Sequence, residues 1–212
     1  MLEGNDLRLT YTDSATTVNA VDGVSLRVGE REFVGIVGPS GSGKSSLLYL
    51  LAGLKRPTAG EVRFRDRSLG AFGLEESAAL RRRAFGFVFQ QSFLINYLTG
   101  LENIQVGASD DLSRAETLLG ELGVTHVRDK FPYQMSAGER QRVAIARAIV
   151  HKPEVIFADE PTASLDRANA EIVVAHLERT ADLGTLFVVT HDETILKKAT
   201  RVLRMFGGKL AT

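Results

Sequence analysis

The sequence predicts an α/β fold: a mostly parallel sheet, an antiparallel β layer contributed by the N-terminal third, and an inserted helical stretch. Three observations predict it. Compact apolar runs end either in a glycine-rich turn or in paired acids, short β-like runs separated by turns fill the first third, and residues 91–150 read mainly as helix.

Taken in order, residues 7–11, 24–28 and 61–65 alternate like half-buried strands and make up the antiparallel layer. Residues 33–37 form an apolar run suited to a buried parallel strand, and a helix is expected over 44–54. Within 91–150 the best helical segments are 115–122 and 139–150, which suggests a separate helical subdomain. Alternation then returns, with strands over 155–159, 185–190 and 202–205 and a helix over 168–180. The expected organisation is one domain, 1–212, with a core of 1–90 and 151–212 and a helical subdomain of 91–150.

Composition narrows the function. A chain of 212 residues, 44% of them hydrophobic, can bury a full core. Lys plus Arg and Asp plus Glu number 26 each, so the electrostatic footprint of a dedicated nucleic-acid binder is missing and no nucleic-acid partner is expected. The triplet Arg81-Arg82-Arg83 reads as a solvated helix face or a neighbour of phosphate rather than a DNA contact. There is no cysteine, which removes disulfides and thiolate chemistry, and four scattered histidines give no metal signature. Residues 1–6 lack the basic start and apolar run of a secretory signal, so a cytosolic chain is expected. The longest apolar stretch, 47–54, falls well short of the roughly 20 residues that a spanning helix needs.

The strongest motif is Gly38-Pro39-Ser40-Gly41-Ser42-Gly43-Lys44-Ser45, placed after an apolar strand and before a helix. Glycines let the backbone curl until several N–H groups face one polyphosphate, and the new helix adds its positive end. Lys44 supplies a point charge to the terminal phosphates, and the Ser45 hydroxyl suits a magnesium position, with Ser46 next on the helix. A second site follows from the strand over 155–159, which ends in Asp159 and Glu160. Asp159 is placed for the magnesium shell and Glu160 to orient and deprotonate the attacking water; the bland alternative is a solvated strand end. Together these elements mark a phosphate-loop NTPase, a class that includes GTPases, kinases and helicases.

A third segment is narrower. Met135-Ser136-Ala137-Gly138-Glu139-Arg140-Gln141-Arg142, with the helix after it, resembles the signature motif of ATP-binding-cassette (ABC) ATPases. Its physical logic stands without the family, because a serine and small residues at a helix start make a second anion site. The resemblance implies that Ser136 and Gly138 face the γ-phosphate held by a second subunit, hence a homodimer with ATP sandwiched between the copies. It extends along the chain in the family's order. Tyr11 looks like the aromatic residue that stacks on adenine, or else is a plain β-layer aromatic. Gln90 looks like the glutamine that senses magnesium and water and links the site to a membrane partner. Residues 163–166, ending in Asp166, resemble the loop that crosses the dimer interface, although Asp166 also suits a helix N-cap. His191 looks like the switch histidine on the γ-phosphate, or else is a satisfied structural histidine.

The signature departs from the commonest family form at three places: Met135 for leucine, Ala137 for glycine and Glu139 for glutamine. The methyl of Ala137 would matter if that backbone needed positive φ. Residues 89–91, 94, 98–99 and 102–103, with 158–162, are similar to the branch of lipoprotein-releasing, macrolide-exporting and cell-division ATPases. The resemblance implies an ATPase using ATP and Mg²⁺, held at the cytoplasmic face of the membrane by an integral membrane permease. ATP would close the dimer, and closure would drive the partner. The ATPase of an importer or a conventional exporter is the alternative within transport, and an ABC ATPase acting on DNA or ribosomes lies further off.

Overall fold

The structure is a computed structural model that describes residues 1–13, 16–107, 112–163, 165–181 and 184–211. The described chain divides into two compact units, Met1–Arg81 with Phe187–Thr212, and Arg82–Leu186.

The first unit runs through β1 (Leu2–Asp13), β2 (Thr16–Val28), β3 (Phe33–Val37), α1 (Lys44–Leu51), β4 (Ala59–Phe64), β5 (Arg67–Ser68) and most of α2 (Leu74–Ala84). The antiparallel layer has the order β2-β1-β4-β5. Its strands are longer than the apolar pattern predicted. Residues 16–19 are exposed, with Val18 the one apolar side chain among them, and they become strand by pairing with β1, where Tyr11 pairs with Val18 and the Thr10 hydroxyl donates to Asn19 Oδ1 at 2.9 Å. A ladder of backbone bonds can hold a strand that has no buried face of its own. β3 is buried at all five positions, which is why it reads as an unbroken apolar run.

The second unit holds β6 (Phe85–Val88), α3 (Gly100–Gln105), α4 (Leu112–Glu121), α5 (Ala137–Ile149), β7 (Val155–Asp159) and α6 (Arg167–Ala181). β8 (Thr185–Thr190) begins in this unit and ends in the first, where β9 (Arg201–Phe206) and β10 (Lys209–Leu210) follow. In the first unit β3 pairs parallel with β9, which turns back antiparallel into β10, giving the order β10-β9-β3-β8. In the second unit β6 and β7 pair parallel, in the order β8-β7-β6. The mostly parallel α/β core is therefore as expected.

Within 91–150, read as mainly helical, α3, α4 and α5 carry the helix and residues 91–99 contain none. The side chain of Asn103, fully buried on α3, explains the difference. Its Nδ2 donates to the carbonyls of Ile95, Leu98 and Thr99 at 3.1, 2.9 and 2.9 Å, and its Oδ1 accepts from Ile95 N at 2.7 Å. These bonds satisfy the backbone in place of a helical ladder. The core beside β7 is aromatic. Phe157 meets Phe85 edge-on at 5.3 Å and stacks on Phe87 at 5.8 Å, and Gly86 lies so close to α5 that an added Cβ would sit 2.3 Å from the Ala148 carbonyl.

Candidate active site

In the first unit the segment 38–43 joins β3 to α1. Gly41 and Gly43 hold φ of 76° and 100°, conformations that side chains disfavour, and a Cβ on Gly43 would lie 2.0 Å from the Ala20 carbonyl. Gly43 is the N-cap of α1, so the helix opens directly out of the loop. Lys44 is buried, and its ammonium folds back to donate to the carbonyls of Gly38 at 2.8 Å and Pro39 at 3.0 Å. The far side of the loop is tied down by Gly208 N, which donates to Ser42 O at 3.0 Å. The Ser42 hydroxyl is buried inside the cradle with no hydrogen-bond partner among the described residues, while Pro39, Ser40 and Gly41 are exposed.

Tyr11 stands beside this loop. Its ring is 42% exposed, and Lys55 donates to its hydroxyl at 2.7 Å with the ammonium 4.5 Å from the ring centroid. Burial alone would raise the phenol pKa. Hydrogen bonds from Lys55 and from Ser46, together with the Lys55 charge, outweigh burial and hold it below the ordinary value. Ser46, on α1, thus joins Tyr11 to the phosphate loop. Spacing along the chain gives no hint of Lys55, which is 44 residues from its partner.

His191 is exposed just beyond β8. The turn that carries it is fixed, because Asp192 N donates to Thr190 Oγ1 at 3.0 Å and Thr194 N donates to Asp192 Oδ1 at 2.8 Å. Hydrogen bonds from Thr194, with a smaller electrostatic contribution from the neighbouring His191, keep the Asp192 carboxyl below the usual range.

In the second unit Asp159 is buried as the last residue of β7, and Glu160 follows with φ of 47°, a left-handed conformation uncommon for a side chain of its size. Strain of this kind is concentrated at functional positions. Gln90 is exposed just after β6. Sequence reasoning missed the residue that links these positions. Gln141, buried on α5, donates through Nε2 to the carbonyls of Phe89 at 2.9 Å and Pro161 at 3.2 Å, the residues next to Gln90 and Glu160. A polar side chain among the apolar positions of α5 was the available signal.

Ser136 is the exposed N-cap of α5 within a capping box. Its hydroxyl accepts from Glu139 N at 3.2 Å, and Glu139 Oε2 accepts from Ser136 N at 2.7 Å. Ala137 is the first helical residue and is absent from the residues of positive φ, so its methyl costs nothing there. Glu139 Oε1 also lies 2.6 Å from His126 Nε2. Hydrogen bonds from His126 and the Ser136 amide hold the Glu139 carboxyl down at about 2. Gly138 lies near Leu165 and Asn169. Asp166 caps α6, accepting from Asn169 N at 2.9 Å and Asn169 Nδ2 at 2.7 Å, and Asn169 is in turn bonded to Arg142. Ser164 lies outside the described residues.

Among the described residues no three His, Cys, Asp or Glu side chains gather to hold a metal unaided.

Comparison with known proteins agrees with this geometry. The ABC transporter family model matches residues 21–163. The chain is 39% identical to the lipoprotein-releasing system ATP-binding protein LolD of Geobacter metallireducens, over 99% of this chain and 97% of that protein. It is 43% identical to the macrolide export ATP-binding/permease protein MacB of Chlorobium luteolum, over 98% of this chain but only 32% of that protein. A solved dimeric structure of the ATP-binding cassette MJ0796, in a post-hydrolysis state bound to ADP and Pi, superposes with a TM-score of 0.94 at 34% identity, covering 100% of this chain and 97% of that one. The chain belongs to the ABC transporter family and is an ATP-binding-cassette ATPase.

Proposed function

We propose that two copies of this chain sandwich ATP and Mg²⁺, and that closing and reopening of the dimer drives an integral membrane partner of the lipoprotein-release or macrolide-export type. The observation that carries the reading is the phosphate loop: a strand, a left-handed glycine N-cap and a buried Lys44 folded over the loop it serves. The backbone of Gly38, Pro39, Ser40, Gly41, Ser42 and Gly43 cradles the phosphates, Lys44 supplies charge, and the face of Tyr11 takes the base. The Ser42 hydroxyl, buried in the cradle with no partner among the described residues, fits a polyanion. Ser45, Gln90 and Asp159 would hold the magnesium, which when bound neutralises charge on the phosphates.

Glu160 takes the proton of the attacking water, and His191 and Gln90 orient the phosphate end and the water. Ser136 and Gly138 meet the nucleotide of the second copy, and Asp166 holds the start of α6 at that interface. Residues 91–150 act as the helical subdomain, and 1–90 with 151–212 as the core. Support for the partner comes from a groove of ≈ 460 Å³ in the second unit, lined by Gln90, Phe93, Leu94, Pro132, Arg140 and Gln141, with Phe93 63% and Tyr133 77% exposed nearby. A groove that sets the exposed ring of Phe93 among mostly polar side chains suits a docked helix that is amphipathic. Among the described residues no helix is long and apolar enough to cross a membrane. In this reading the chain sits at the cytoplasmic face.

The test is to trap tagged Glu160→Gln protein with ATP and Mg²⁺ in its native cells, extract the membranes gently and identify what copurifies. A membrane protein of few spans with a large extracytoplasmic part supports the reading. A many-span permease redirects it to conventional transport, and ribosomes or DNA alone would sink the membrane role.

A further inference from the structure

Where the commonest signature carries glutamine this chain carries Glu139, and so has a full negative charge in the first turn of the helix that is to meet a phosphate. A carboxylate there competes with the anion for the positive helix end. The structure answers it with a histidine. His126, in the single turn Thr125–Val127, has Nε2 2.6 Å from Glu139 Oε1, while Oε2 of the same carboxylate holds the Ser136 amide at 2.7 Å. Imidazole, carboxylate and N-cap serine thus form one continuous chain of hydrogen bonds.

Among the described residues, most charged groups on the neighbouring elements have partners of their own. On its own segment Arg128 pairs with Asp129 at 2.6 Å and with Glu116 of α4 at 3.0 Å, and Lys130 follows. On α4 the Arg114 Nε donates to the Val150 carbonyl, and Glu121 lies 3.9 Å from His176. On α3 Glu102 is held in the Thr99 cap, and on α5 Arg140 donates to the Met135 carbonyl and Arg142 bonds to Asn169. Among the described residues, Glu139 is the carboxylate at hydrogen-bond distance from the imidazole.

We propose that His126 is a positioning residue for the composite phosphate site, its ring, when protonated, offsetting the Glu139 charge at the N-terminus of α5 so that the dimer closes more readily on ATP. The proposal rests on the reading of Ser136 as the contact to the other copy's nucleotide. Imidazoles change charge near neutrality, so closure weakens as pH rises through that range.

The experiment measures the ATP concentration at half-maximal dimer for Glu160→Gln protein by light scattering, from pH 6 to pH 8, with and without His126→Gln. Glutamine keeps a donor for the carboxylate but does not titrate, and the two proteins share every other pH-dependent group, ATP included. The protein with His126 should need roughly 2- to 5-fold more ATP at pH 8 than at pH 6, measured relative to the His126→Gln protein. Glu139→Gln should flatten the profile in the same way; if it does not fold, the His126→Gln comparison decides alone. Parallel profiles with and without His126 overturn the proposal. A His126-dependent shift in ATP binding to monomeric Ser136→Arg protein also overturns it, because the effect would then lie at the chain's own nucleotide. If Ser136→Arg protein dimerises normally with ATP, the underlying reading of the signature fails, a different result from parallel profiles.

Discussion

Lys44 and Glu139 show how a single side chain can answer to its surroundings. Lys44 is buried yet bonded only to carbonyls of the loop it covers, so its charge is held at the phosphate site. Lys44→Ala removes a charge-assisted bond to phosphate and should weaken ATP binding about 10- to 100-fold, checked by calorimetric titration. Glu139 carries a pKa held down at about 2 by His126 and the Ser136 amide. A depressed carboxylate pKa contributes stability that is present above its unfolded value and is lost as pH falls towards 2. Glu139→Gln should therefore show a shallower loss of stability than the parent between pH 4.5 and 2, read from urea midpoints. Equal slopes would show that the carboxylate is not so held. Glu139 was legible in the sequence as a departure from a motif, but His126, 13 residues away, was not, because the pair is made by a turn folding back on α5.

At the scale of elements, runs whose burial is uniform or strictly periodic were legible: β3 and β7, buried at every position, and α1, α5 and α6 close to their expected bounds. The irregular path of residues 91–99 was not, since one buried asparagine from α3 organises it. Close approach of elements is likewise invisible in pattern. β6 meets α5 across Gly86, and Gly86→Ala would press a methyl onto the Ala148 carbonyl 2.3 Å away. That should cost about 1–3 kcal/mol, measured as a lowered midpoint of thermal unfolding with unchanged phosphate-loop chemistry. An unchanged midpoint would mean that β6 and α5 can separate freely. Gln141 shows the functional side of the same packing, because one amide on α5 ties the backbone beside Gln90 to the backbone beside Glu160.

For the whole molecule the decisive property is association. Ser136, Gly41 and His191 are each exposed, as residues that are to meet a second copy must be. Glu160→Gln protein should double in mass on adding ATP and Mg²⁺, and Ser136→Arg should abolish the doubling while monomer binding persists, both measured by light scattering. A Glu160→Gln protein that stays monomeric at saturating ATP would refute the sandwich.

The sequence alone determined the class of fold, the phosphate loop and the family, because each is written in short contiguous segments whose chemistry depends on neighbours along the chain. Only the tertiary structure decided that Lys55 and Ser46 hold Tyr11, that Gln141 joins two motifs and that His126 guards Glu139. Those contacts depend on hydrogen bonds between groups far apart in sequence, and their geometry exists only once the elements are packed.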